Sequence, residues 1–188
     1  MNSGKFKQTW FVLLPLLPLL MGQAGLTQKQ QQKLTSPKVP DNLQVPAGQT
    51  LLQKLNAKGV QIYQCDAKAD NPNQFEWTLK APEADLFDNK GQTIGKHYAG
   101  PTWEGNDGSK VVGALKSRAN SPKQNAIPWL LLEATSNEGN GIFSNVKYIQ
   151  RVDTVAGKAP AKGCDKAQAG AQVSVNYSSD YYFYGVSP

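Results

Sequence analysis

Residues 77–109 read WTLKAPEADLFDNKGQTIGKHYAGPTWEGNDGS, and their period decides the fold class. Phe75, Trp77 and Leu79 alternate with Glu76 and Thr78, the two-residue repeat of a half-buried strand. Leu86-Phe87 runs into Asp88-Asn89-Lys90-Gly91, and Thr93 to Tyr98 follows as a second β-like run. Gly91 supplies the positive φ that such a turn needs, which predicts a hairpin. Pro101-Thr102-Trp103-Glu104 and Val111 to Leu115 read as two further short strands about the turn Gly105-Asn106-Asp107-Gly108.

The pattern continues on both sides. Val60 to Cys65 has strong β composition, and Asn56-Ala57-Lys58-Gly59 is the turn expected to join it to Leu51–Leu55 in a hairpin. Residues 128–134 (PWLLLEA) are apolar on both faces, which predicts a central strand buried on two sides. Phe143 to Thr154 alternates again, with Val146, Tyr148 and Val152 on one face and Ile149, Arg151 and Asp153 on the other. On that reading Arg151 and Asp153 form a surface ion pair. Near the C-terminus Val173, Val175, Tyr177, Tyr181 and Phe183 share a face. About ten short strands, glycine turns and no long amphipathic helix predict an all-β domain, an antiparallel β-sandwich or a barrel-like sheet.

The N-terminus reads MNSGKFKQTWFVLLPLLPLLMGQA. Two lysines precede an apolar run too short to span a bilayer and broken by Pro15 and Pro18, and small residues follow at Gly22 and Ala24. This is the pattern of a signal peptide over residues 1–24, with cleavage after Ala24. It predicts a secreted or periplasmic protein with no membrane span after cleavage. Residues 25–41, rich in Gln and Lys and carrying Pro37 and Pro40, read as a flexible leader, and residues 42–188 as one β-rich domain. Removing Lys5 and Lys7 lowers the formal charge from +6 to +4. The basic residues are dispersed, so the charge does not point to nucleic acid. Two cysteines, Cys65 and Cys164, in an exported chain are most simply a disulfide, and closing so long a loop stabilises a fold by up to roughly 4–5 kcal/mol in the chain-entropy view.

Several blocks recur together in one known family. GVQIYQC (59–65), LFDNKGQTIGKHYAGPTWEGNDGS (86–109), IPWLLLEA (127–134), GIFSNVKYIQRVDT (141–154) and YSSDYYFY (177–184) stand in the same order, and the chain resembles the bacterial and fungal family called domain of unknown function 3455. The resemblance implies export and β-rich architecture; it implies no reaction. Where the family tends to have two glycines this chain has Val155-Ala156-Gly157. Some fungal relatives carry a malate dehydrogenase label, but no Gly-x-Gly-x-x-Gly and no βαβ alternation is present to hold a dinucleotide.

The candidate site is the short end of the opening stretch. His97 is the sole histidine, with Glu104 and Asp107 close behind it, so these three are the candidate catalytic residues of a secreted hydrolase. Tyr98 and Trp103 are the candidate ligand contacts, with Trp103 expected on the surface and Trp77 and Trp129 in the core. Strand alternation puts Lys96 and Tyr98 on the face opposite His97. One histidine among turn aspartates makes a poor metal site, and no cofactor motif is present. Three readings follow: a β-sandwich binding a glycan or small molecule, a hydrolase using His97 with Glu104 or Asp107, and a structural or stress-related envelope protein.

Overall fold

The computed structural model describes residues 1–5 and 34–186; residues 6–24 of the expected signal peptide and 25–33 of the expected leader lie outside the described residues. Eight strands follow in chain order: β1 Thr50–Ala67, β2 Phe75–Phe87, β3 Thr93–Tyr98, β4 Thr102–Gly105, β5 Lys110–Ala119, β6 Trp129–Glu138, β7 Val146–Ala156 and β8 Gln172–Gly185. Each pairs antiparallel with the next, and β8 pairs back onto β1, so the sheet closes into a barrel. The only helical pieces among the described residues are two 3-10 turns, Asp41–Leu43 and Lys166–Gln168. The barrel form of the sequence expectation is therefore the one adopted, and closure removes the sheet edges a sandwich would expose.

The hairpins at 88–91 and 105–108 form as expected. Gly91 N–H donates to the Asp88 carbonyl at 3.1 Å, and Asp88 Oδ1 accepts from the backbone N–H groups of Lys90 and Gln92. The turn expected at 56–59 does not form. Residues 50–67 are one continuous strand, paired on one side with β2 and on the other with β8. Gly59 is there for proximity: a Cβ on it would lie 2.0 Å from the Glu83 carbonyl oxygen. A glycine inside a strand marks a close approach of backbones as readily as it marks a turn.

Alternation then sorts the side chains. Leu55, Ala57, Gln61, Tyr63 and Cys65 of β1 point inward and are buried. They meet Leu86, His97, Trp103, Val111, Leu132, Ile149, Tyr181 and Phe183 from the other strands. Outside, the strands present Lys58, Glu83, Lys96, Lys116 and their like to solvent. This apolar-inside, charged-outside pattern is the inverse of a barrel that crosses a bilayer. No helix among the described residues is long and apolar enough to cross one either.

One end of the barrel is plugged. Phe143, from the loop between β6 and β7, is fully buried, with its ring 5.0 Å from that of Phe183. Its backbone N–H donates to Ser109 Oγ, and its carbonyl accepts from Asn137 Nδ2. The opposite end is where β1 finishes and the β3–β4 hairpin lies. There Cys65 and Cys164 form a disulfide, with Cα atoms 5.3 Å apart and 99 residues of separation. The bond and the backbone pairing of Cys65 with Gly170 and Ala171 fasten the β7–β8 connection to β1.

A second apolar cluster lies outside the barrel wall. Tyr148, Val152, Tyr182 and Tyr184 face outward from β7 and β8 and pack with Trp129, Val39, Val45 and Leu51. The segment before β1 covers them: Leu43 is fully buried and its carbonyl accepts from Gln150 Nε2 at 2.7 Å. This is why 128–134 is apolar on both faces. It also corrects the tryptophans. Trp129 belongs to the outer cluster, and Trp77 is half-buried with its Nε1 donating to the Lys162 carbonyl. Trp103, expected on the surface, is 1% exposed at the centre of the barrel.

Candidate ligand-binding site

The site is built around two neighbours on paired strands. His97 on β3 and Trp103 on β4 are register partners, so their side chains project from the same point of the wall. Their rings stack at 4.5 Å and 14°. Tyr181 of β8 meets both edge-on, at 5.1 Å and 5.3 Å. Gly113 of β5 makes room for the indole, since a Cβ there would come within 3.2 Å of Trp103 Cζ3.

Above this cluster, toward the open end, lies a cavity of about 380 Å³. Leu79, Leu115, Leu130 and Leu132 give it apolar walls, and Lys80, Arg118 and Arg151 contribute cations. Leu79 and Leu115 are 52% and 57% exposed, an unusual state for strand leucines that point toward the inside of a barrel. A wide depression on the outer wall, lined by Lys58, Glu83, Asp85 and Lys96, has the character of a solvated charged surface instead.

His97 Nδ1 lies 2.9 Å from the Thr102 carbonyl oxygen. A carbonyl only accepts, so Nδ1 carries the proton and Nε2 is the lone-pair nitrogen. Burial pushes the His97 pKa down to about 3, and the Arg151 charge adds to the effect against the hydrogen bond to Thr102. The ring is neutral at physiological pH and a weak base.

The other sequence-selected residues sit elsewhere. Tyr98 and Glu104 face outward, as alternation requires, with Tyr98 Oη donating to Glu104 Oε2 at 2.7 Å and Lys110 3.6 Å from Glu104. That hydrogen bond raises the Tyr98 pKa. Asp107 lies in the β4–β5 turn at the plugged end. Its Oδ1 accepts from Ser109 N–H and Oγ, and its Oδ2 accepts from Ile142 N–H at 2.8 Å. Desolvation pushes its carboxyl up, but these hydrogen bonds together hold it below the usual range. His97, Glu104 and Asp107 thus occupy the inner face, the outer face and the far end, and Trp103 alone of the candidates joins His97. Among the described residues no group of three or more His, Cys, Asp or Glu could hold a metal ion.

Two residues of the site, Arg151 and Gln61, escaped the sequence reading, whereas Tyr181 belongs to the 177–184 aromatic cluster that the sequence offers as a ligand platform. Arg151, expected in a surface ion pair with Asp153, is 8% exposed and belongs to the inner face. Its Nε and Nη2 both donate to the Pro128 carbonyl, at 3.2 and 2.9 Å. The chain bulges between Val152 and Val155, with Asp153 at φ 50°, and this turns Asp153 away from Arg151. Gln61 and Tyr181 are each 1% exposed and line the same cavity. The available signal was that Arg151 shares a face with Ile149.

No curated protein and no solved structure shows significant similarity to the chain. A family model described as "Protein of unknown function (DUF3455)" matches residues 46–185, the whole barrel from just before β1 to the last residue of β8. The chain with this aromatic-floored barrel therefore belongs to the DUF3455 family.

Proposed function

We propose that this is an exported binding protein that holds a small molecule in the open end of its barrel without reacting with it. The observation that carries the reading is the cavity of about 380 Å³ over the His97–Trp103–Tyr181 cluster, bounded by exposed leucines. An eight-stranded barrel is just wide enough to fill with side chains or to hold one small ligand, and barrel mouths are common ligand sites. The signal-like N-terminus and the Cys65–Cys164 disulfide support export. A small molecule fits better than a glycan on an aromatic platform, because Trp103 offers no exposed ring face. The hydrolase reading loses its support with a histidine neutral down to about pH 3 and no carboxylate beside it.

The test is titration with the neutral apolar fluorophore N-phenyl-1-naphthylamine. The protein should give saturable enhancement. Leu130→Trp, from the cavity wall, and Leu115→Trp, from its rim, should each weaken it at least several-fold while far-UV circular dichroism stays unchanged. Absence of saturable binding, or binding indifferent to both variants, would overturn the reading.

A further inference from the structure

We infer that the ligand is a small organic anion, a single carboxylate on an apolar or aromatic body, and that Arg151 is its anchor. This rests on the cavity being a binding site and assigns the chemistry it selects. Four ion pairs occur among the described residues, Lys54–Asp180, Lys80–Asp66, Lys110–Glu104 and Lys116–Glu133, and Arg151 is in none of them. A guanidinium withdrawn from water without a counter-charge is costly, and a buried cation is ordinarily paired. Arg151 spends Nε and Nη2 on one neutral carbonyl, with Nη1 outside both bonds.

Donors predominate among the polar groups around it, with His97 Nε2 and the Gln61 amide oxygen as acceptors on the same lining. Trp103 Nε1 is a buried donor without a partner, and the buried Gln61 Nε2 and Tyr181 Oη have only the Tyr177 hydroxyl beside them. Gln61, Trp103 and Tyr181 line the cavity with Arg151. Lys80 and Arg118 stand there as well, and among the described residues the lining holds no Asp or Glu. A site rich in donors and cations and lacking carboxylates is complementary to an acceptor-only anion. One buried cation matches one negative charge, and the planar edge of a guanidinium matches the two oxygens of a carboxylate. The leucines and prolines then take the apolar body, with the His97–Trp103–Tyr181 cluster as the floor.

The experiment compares 1-naphthoate with its neutral isostere naphthalene-1-carboxamide, by calorimetry on the purified protein and by competition with N-phenyl-1-naphthylamine. The acid should bind at least about tenfold tighter than the amide. Arg151→Met should erase that preference, while Arg151→Lys should retain part of it; both should still bind the neutral fluorophore. If the fluorophore binds but acid and amide bind alike, or if Arg151→Met leaves the preference intact, the anion assignment falls and the cavity reading survives. If 1-naphthyl phosphate binds tighter than the carboxylate, the assignment to a single carboxylate falls. If neither fluorophore nor naphthoate binds, both readings fall. The wild-type acid–amide comparison decides the matter even where an Arg151 variant does not fold.

Discussion

At the scale of residues, His97 shows how burial overrides a suggestive neighbourhood. In sequence it stands among lysine, tyrosine and two acids; in the barrel its ring is 2% exposed between Trp103 and Tyr181. The groups facing it are Trp103 of β4, Tyr181 of β8 and, more distantly, the Arg151 charge of β7. Its pKa falls from an ordinary 6.5 to about 3. Below pH 6.5 the unfolded chain therefore takes up a proton that the native chain refuses until about pH 3. Stability should fall as pH drops through that window, by up to about 1.4 kcal/mol per pH unit from this group. Between pH 6.5 and 5 carboxylates such as Asp66, Asp107 and Glu133, all held below their usual range, stay ionised, so the slope there belongs to His97. Urea denaturation at pH 7, 6 and 5 should show it in the native protein, and His97→Phe should flatten it. An unchanged slope in the variant would place the titration elsewhere. The residue scale also holds a local irregularity: Ala156 takes φ 55°, a left-handed conformation in which glycine would be unstrained.

At the scale of elements, the strands were legible where polar and apolar residues alternate, and the error lay in which face was inside. Turn chemistry at 88–91 and 105–108 was explicit, because Asp88 and the glycines leave few alternatives. Gly59 was not, since one residue type serves both a turn and a close approach of strands. The tryptophans were misassigned for a different reason. Residues 34–49 cover the outer face of β6 to β8, so apolar side chains there do not mark the barrel interior. Register shifts at Ile62/Tyr63, Leu115/Ser117 and Val152/Val155 then break the two-residue phase within single strands. Arg151 and Asp153 sit across the last of these. Asp107 shows what an element-level role looks like: it pins the β4–β5 turn to the loop carrying Phe143. Asp107→Ala should lower unfolding free energy by about 1–2 kcal/mol in urea melts. Because it acts at the plugged end, it should leave fluorophore affinity at the open end unchanged; a matching loss of affinity would show that the two ends are coupled.

At the scale of the whole molecule, the barrel divides its labour along its axis. Phe143, Phe183 and the Asp107 clasp close one end. The aromatic cluster fills the middle, and the other end is left as a cavity carrying the one buried arginine outside any ion pair among the described residues. None of this axial arrangement was visible in the chain, because closure of β1 on β8 brings Gln61, Arg151 and Tyr181 together across distances no local pattern reports. Occupation of the open end by an anion is read from the tryptophan indole N–H signals in proton–nitrogen NMR during titration with 1-naphthoate. The Trp103 signal should move to saturation while that of Trp129, in the outer cluster, stays in place. Movement at Trp129 with Trp103 unmoved, or no saturable movement at Trp103, would contradict that occupation.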